Sequence, residues 1–369
     1  MIIEVGTAIT PTGILENVVI KARGRGSLYA ETAVIPGFAD AHAHPQVIDY
    51  GGGRWRNAYE WIKYRKLSVD EASLRADAEL SGRLAKLALW RALLEGTTLM
   101  AIVGSYHANQ NAIVETEDRP RVVLMPTILE RGRGWWSLDD LLLRADNLFS
   151  LDGYVKPGLF LHSIRLVRPE TLREAYRIAE NLGLPFALHL SEGVPELEVL
   201  VKILGLRRGS NSRVVAVHCQ EDEDYKAYGI SVVHCPLSNL LLYGRTLRRI
   251  EQVNALGSDW PLLLGSVYRA YRTAVAYHGR VWSSRLFRAA TVGGYEVYGV
   301  NWRGDAALFD ERAEKVLRGD ASRPSFVLVK GTLVVREGRL RSSGLSHREV
   351  MSAICAAVRE AREKHPAQQ

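Results

Sequence analysis

Cysteine is sparse and odd in number: Cys219, Cys235 and Cys355 are the three in 369 residues. Such a set builds no disulfide framework and points to a reducing, cytoplasmic setting. Long hydrophobic runs are missing too. No stretch of eighteen apolar residues occurs, so no membrane-spanning helix is expected. The opening MIIEVGTAITPTG has neither a basic leader nor a long apolar segment, so no signal peptide is expected. Internal repeats and low-complexity tracts are absent. The chain is basic, with a net charge of +7 and a pI near 9.3, yet it holds no dense Lys/Arg block. Arginines interleaved with acids speak against a nucleic-acid partner.

What is present is a chain 47% hydrophobic, enough for one large domain or one large and one small. Short strand-like runs fill the first thirty-odd residues: IIEVGTAI, ILENVVIKA and SLYAETAVI. DAALFD and the hairpin SFVLVKGTLVVREGRL, with Lys330 and Gly331 at its turn, lie near the other end. The two ends are expected to meet in a small β-sandwich. Between them, eight apolar runs alternate with amphipathic stretches: AVIPGFADA, TTLMAIVG, RVVLMPTIL, GLFLHSI, PFALHLS, RVVAVHC, ISVVHCP and NALGSD. ASLRADAELSGRLAKLALWRALLEG reads as one of the intervening helices. PETLREAYRIAENLG reads as another, starting at Pro169 and stopping at Gly183. Buried parallel strands alternating with helices mean an α/β fold, and eight units suggest a (β/α)8 barrel of the TIM type. The expected division is 1–33 and 304–345 for the sandwich, 34–303 for the barrel and 346–369 for a terminal helix.

Active sites of such barrels lie at the C-terminal ends of the strands. Six of the ten histidines fall there: His42 and His44, His162, His189, His218 and His234. Asp259 ends the eighth run. His42 and His44 sit two residues apart, so a strand aims both imidazoles at one point. Imidazole and carboxylate together suit zinc or iron, with a position left open for water.

PGFADAHAHP, HLSE, VHC, HCPLSN and LGSD, in that order and one per strand, resemble the metal-dependent amidohydrolase superfamily. Within it the chain looks most like the aminohydrolases, such as methylthioadenosine/adenosylhomocysteine deaminases, guanine deaminases and chlorohydrolases. The resemblance covers nearly the whole chain, including RGDAALFD and VLVKGTLVVREGRL near the end. It implies that His42, His44, His189 and Asp259 hold one divalent metal, zinc or iron. It makes His218 a further ligand or a neighbour of the metal-bound water. Glu192 takes the place of the general acid/base, and His234 polarises the hydroxide or the leaving group. His162 falls where those deaminases contact substrate. Binuclear relatives bridge two metals with a modified lysine at the end of the fourth strand. Here Lys156 precedes that strand and His162 holds the position, which favours one metal.

The expected chemistry is hydrolytic deamination of an aminated heterocycle: a purine, pyrimidine, pterin or nucleoside derivative. A divalent metal lowers the pKa of bound water, Asp259 takes its proton, and Glu192 protonates a ring nitrogen. Hydrolysis of a cyclic amide, or of a C–N or C–Cl bond of a triazine, is the alternative at the same site. A non-catalytic nucleic-acid-binding module is a distant one. Trp55, Trp135, Trp136 and Trp260 follow strand ends and could stack on a planar ring. Arg131, Arg133 and Arg165 could receive a carboxylate or phosphate. Tyr106 and His107 are further cavity candidates. Cys219 and Cys235 read as small buried residues, turned away from their neighbouring histidines. The expected partners are a small-molecule substrate and, as in many relatives, further copies of the chain.

Overall fold

The N-terminal runs form the strands their alternation predicts. β1 (Ile2–Thr10) pairs antiparallel with β2 (Gly13–Lys21) and parallel with β3 (Ser27–Val34). The computed structural model describes residues 1–130 and 135–367.

Each of the eight central runs then holds a strand. They are β4 (Phe38–Ala43), β5 (Thr97–Ile102), β6 (Arg121–Leu124) with β7 (Thr127–Ile128), and, after a short β8 (Val155–Pro157), β9 (Leu159–Ser163). β10 (Phe186–Leu190), β11 (Val214–His218), β12 (Ser231–His234) and β13 (Val253–Leu256) complete the series. All are parallel where they pair, and nearly all their residues are buried, as unbroken Val, Leu and Ala runs require. They form two sheets, β4-β5-β6-β8 and β7-β9-β10-β11-β12-β13. The run RVVLMPTIL is split into β6 and β7 around Pro126, which has no N–H to give a ladder. β8 escaped expectation because a three-residue strand with a lysine and a proline carries no apolar run. At the far edges, β4 meets the segment after β13. Ala43 bridges Asp259, His44 N–H donates to Asp259 O (2.5 Å), and Asp259 N–H donates to His42 O (2.9 Å).

The C-terminal strands β14 (Ala306–Phe309), β15 (Phe326–Val329), β16 (Thr332–Arg336) and β17 (Arg339–Leu340) add to β3. Both chain ends thus share one seven-stranded sheet, ordered β17-β16-β15-β14-β3-β1-β2. The β15–β16 turn is Lys330-Gly331, both with positive φ (53° and 72°), the backbone of a tight primed hairpin. Ile3, Val5, Ala30, Leu308 and Leu328 form this sheet's own apolar cluster.

The helices Pro169–Asn181 and His347–Lys364 begin as expected, the latter with a Ser346/Glu349 capping box. The stretch read as one helix from Ala72 onward is two: Glu71–Ala76 and Ala78–Leu94. Asp77 breaks it, because its side chain accepts from Leu80 N–H and caps the second helix. Among the described residues no helix is long and apolar enough to cross a membrane.

Candidate functional site

The strand ends deliver four of the six expected histidines to one point. His42 lies on β4 and His44 just past it; His189 comes from β10, His218 from β11 and Asp259 from beyond β13. His42 and His44 Nε2 stand 3.2 and 3.3 Å from His189 Nε2. Asp259 Oδ1 is 3.6 Å from His42 Nε2 and 3.8 Å from His44 Nε2. Ligands at about 2.0–2.1 Å around a tetrahedral zinc would be about 3.3–3.4 Å apart, so these atoms sit at the spacing of a coordination shell. His42, His189 and His218 form a second group of ligand atoms on the same spot. All five side chains are buried or nearly so.

Charge suits the same role. Burial drives His42, His44 and His189 below the ordinary imidazole range, so each ring is neutral and offers a lone pair. Burial opposes ionisation of Asp259 as well, yet the surrounding imidazoles, His42 first, hold it well below the usual carboxylate range. The backbone is bent to make the arrangement. Ser191, His218, Cys219 and Asp259 all have positive φ (53°, 76°, 47° and 62°), a conformation non-glycine residues adopt at a cost.

Glu192, just past β10, stands beside this cluster, its Oε1 3.8 Å from His218 Nε2. Tyr243 Oη donates to the same Oε1 at 2.6 Å, and burial raises the carboxyl's pKa. His218 Nδ1 faces Asn239 Oδ1 at 2.8 Å. An amide oxygen only accepts, so Nδ1 carries the proton and Nε2 keeps its lone pair for the cluster.

His44, His162, His189, His218, Glu192, Asp259 and Trp260 line one cavity of about 220 Å³. His162 is pushed down to about 4 by burial and by the nearby Arg75 and Arg65 guanidiniums. Trp260 packs on Trp61 with ring centres 5.5 Å apart. Other candidates are placed elsewhere. His234 is buried against Thr246 and the His278 ring and does not line the cavity. Arg165 donates to Glu196 at 2.9 Å and covers the Tyr59 ring. Trp55 donates to Gly52 O and packs with Leu242 outside the cavity lining. Tyr106 and Trp136 pack on each other in the core, and His107 is exposed beside Arg144. Lys156 donates to Gly299 O. Cys219 and Cys235 are buried and unpaired. Arg131 and Arg133 lie outside the described residues.

Several site residues were not anticipated. Asp40 is fully buried, accepts from Ser258 N–H (2.9 Å), and is pushed up to about 7 by that burial. It ties β4 to the Asp259 segment, and its place two residues before His42 was the available signal. Asn239 closes the HCPLSN motif but was given no role, and Tyr243, four residues on, carried no signal of its own. The rim adds Trp61, Arg65, Glu71, Arg75 and Trp135. Arg65 grips Glu71 through two hydrogen bonds (2.6 and 3.2 Å) and lies over Trp61, while Arg75 lies over Trp135.

No protein-family model matches the chain. Its curated relatives include a 5'-deoxyadenosine deaminase of Methanopyrus kandleri, 23% identical over 64% of this chain and 63% of that protein. A 5-methylthioadenosine/S-adenosylhomocysteine deaminase 1 of Archaeoglobus fulgidus is 24% identical over 84% of each. The chain thus spans slightly under two thirds of the first of these. Among solved structures, an adenosine deaminase from Xanthomonas campestris with bound zinc superposes with a TM-score of 0.77 at 20% identity, over 98% of both chains. An atrazine chlorohydrolase from Arthrobacter aurescens, complexed with zinc, gives 0.78 at 15% identity, over 97% of this chain and 99% of that one. In sequence and in fold, the chain is similar to the metal-dependent amidohydrolase superfamily, and the relatives it matches in sequence are deaminases.

Proposed function

We propose that this chain is a metal-dependent hydrolase that deaminates an aminated heterocycle. The observation that carries the reading is the convergence of His42, His44, His189 and Asp259 beside a cavity that His44, His189, Asp259 and the buried Glu192 line. Those four residues would hold one divalent ion, zinc first, with His218 beside them. When bound, the ion supplies Lewis acidity and makes water nucleophilic at neutral pH. The remaining work falls to side chains. Asp259 accepts a proton as water adds to the amino-bearing ring carbon. Glu192, held by Tyr243, gives a proton to the neighbouring ring nitrogen. Collapse of the tetrahedral carbon expels the amine, which leaves as ammonia once it gains a proton. His162 and Trp260 bound the space where the ring lies.

The cavity is smaller than the ~300–1,000 Å³ of pockets for drug-sized ligands, which favours a compact planar ring. Relatives named as deaminases of adenine nucleosides are the reason to try that class first. We read the two parallel sheets as one eight-unit barrel joined at Ala43 and Asp259. We take the seven-stranded sheet as the flanking β-unit expected as a sandwich, and keep the domain limits proposed from sequence. The three unpaired cysteines support a cytoplasmic location. Triazine hydrolysis stays as a second reading because a chlorohydrolase shares the fold over nearly its whole length. The test is product release by zinc-loaded protein across adenine nucleosides, other aminopurines, pterins and a chlorotriazine, with Glu192→Gln alongside. Ammonia release lost in that variant supports deamination. Chloride release from the triazine alone replaces it with the second reading.

A further inference from the structure

At the opposite end of the parallel strands lies a second concavity of about 1210 Å³. Leu94 and Glu95, just before β5, form part of its wall, whereas Gly104, just after β5, lines the catalytic cavity. Five arginines surround it: Arg269, Arg272, Arg280, Arg318 and Arg323. All five are exposed. Among the described residues, none of them has an ion pair or a side-chain hydrogen bond. The carboxylates of the cleft do not answer them. Glu95 is taken by Arg91 and His347, and Glu337 by Arg336; Asp320 remains.

The side chains are seated rather than scattered. Arg269, Arg272, Thr273 and Ala276 recur at three- and four-residue spacing on one face of the helix Val267–His278. A Cβ at Gly265 (φ +98°) would come within 3.0 Å of Arg269 Cδ. At Gly319 (φ +73°) it would come within 2.6 Å of Arg272 Cγ. Two glycines therefore make room for the two stems. Arg323, Pro324, Glu337 and Gly338 come from the seven-stranded sheet side, so the cleft runs between helix and sheet.

From this placement we infer that the cleft binds a short chain of phosphates, as inorganic triphosphate or the triphosphate of a nucleotide. Guanidinium forks match phosphate oxygens two at a time, and like charges gathered around one concavity are relieved by a multiply charged anion. Single-stranded nucleic acid fits less well, because it is gripped by stacking platforms. Apart from His347, the one aromatic ring among the described lining residues is Tyr268, which is buried.

The test is calorimetric titration of zinc-loaded protein with sodium tripolyphosphate, a nucleoside triphosphate, orthophosphate and a single-stranded RNA oligomer in physiological salt. The inference expects one triphosphate per chain, binding at least tenfold tighter than orthophosphate. Binding should weaken at least tenfold in Arg269→Ala/Arg272→Ala and less in the corresponding Lys pair, with turnover unchanged in both. Hydrogen exchange should slow in the helix Val267–His278. Equal binding of the two triphosphates assigns the site to the phosphate chain, and tighter nucleotide binding assigns it to a nucleotide. Absence of binding, or binding that persists in the Ala pair as zinc sequestration would, overturns the inference. So does tighter binding of RNA lost in the same variants, which makes the cleft a nucleic-acid surface.

Discussion

The two ends of the parallel strands treat buried charge in opposite ways. At the N-terminal end, Glu95 is enclosed by partners: His347 Nε2 at 2.8 Å, Arg91 Nε at 3.1 Å and Ser266 N–H at 3.2 Å. Burial alone would raise its pKa, but these donors hold it down to about 2. At the C-terminal end compensation is only partial: Tyr243 donates to Glu192, and Asp259 lies beside His42 and His44. Burial still raises Glu192 and drives the His42, His44 and His189 rings neutral. His42 Nδ1, His162 Nδ1 and His234 Nε2 have no partner among the described residues. A fully answered charge holds elements together. A poorly answered one keeps reactive lone pairs and protons available, and that contrast marks the site.

Breaking the C-terminal end should have the largest effects. His42→Ala is expected to lose bound zinc, measured by elemental analysis, together with all turnover. Full occupancy in that variant would falsify the ligand assignment. Glu192→Gln should keep its zinc while turnover falls by about 10²–10⁴, the scale of proton-transfer catalysis. Normal rates in that variant would remove Glu192 from the chemistry.

Breaking the N-terminal end should show up in stability rather than in zinc. Glu95 has a folded-state pKa near 2 against an ordinary 4.5. Its depressed value makes its contribution fully present above about pH 4.5 and progressively lost as pH falls toward 2. Glu95→Gln should therefore cost about 3 kcal/mol in denaturant unfolding at pH 7, and less at each step into acid. A penalty independent of pH would show that packing, not charge, holds this end.

Smaller effects sharpen the contrast. Asn239→Ala removes the acceptor that fixes the His218 tautomer and should weaken zinc binding about 10- to 100-fold in a chelator competition. Trp61→Ala, at the rim, should raise KM several-fold with zinc content unchanged, since an aromatic contact is worth about 0.5–1.5 kcal/mol. A loss of kcat instead would move Trp61 from binding the ring to shaping the floor.

How much was legible follows the same division. The eight central strands and the His42/His44 pair were readable because alternation along a strand is fixed by covalent geometry. His189 and Asp259 could be placed because each closes an apolar run. Partners contributed by loops and helices could not be. Glu192 and Tyr243 are 51 positions apart, and nothing local links them. Arg165 and Trp55 follow or flank the right elements but turn to Glu196 and to Leu242, a choice made by packing alone. Asp77 shows the local version of this limit. An aspartate inside a helical pattern can cap as readily as continue, and here it caps.

The hydrogen bonds joining His42 and His44 to Asp259 carry a consequence for biogenesis. The proposed metal ligands are written across a seam between positions 42–44 and 259 of the chain. A nascent chain that has not yet delivered Asp259 holds three of the four ligands and has no edge against which to set them. Zinc would therefore be captured late, after the first and last strands have met, and would then act as a clasp on that meeting. Stripping the ion should loosen this seam before any other part of the molecule, and amide exchange at His44 and Asp259 is where it would first be visible.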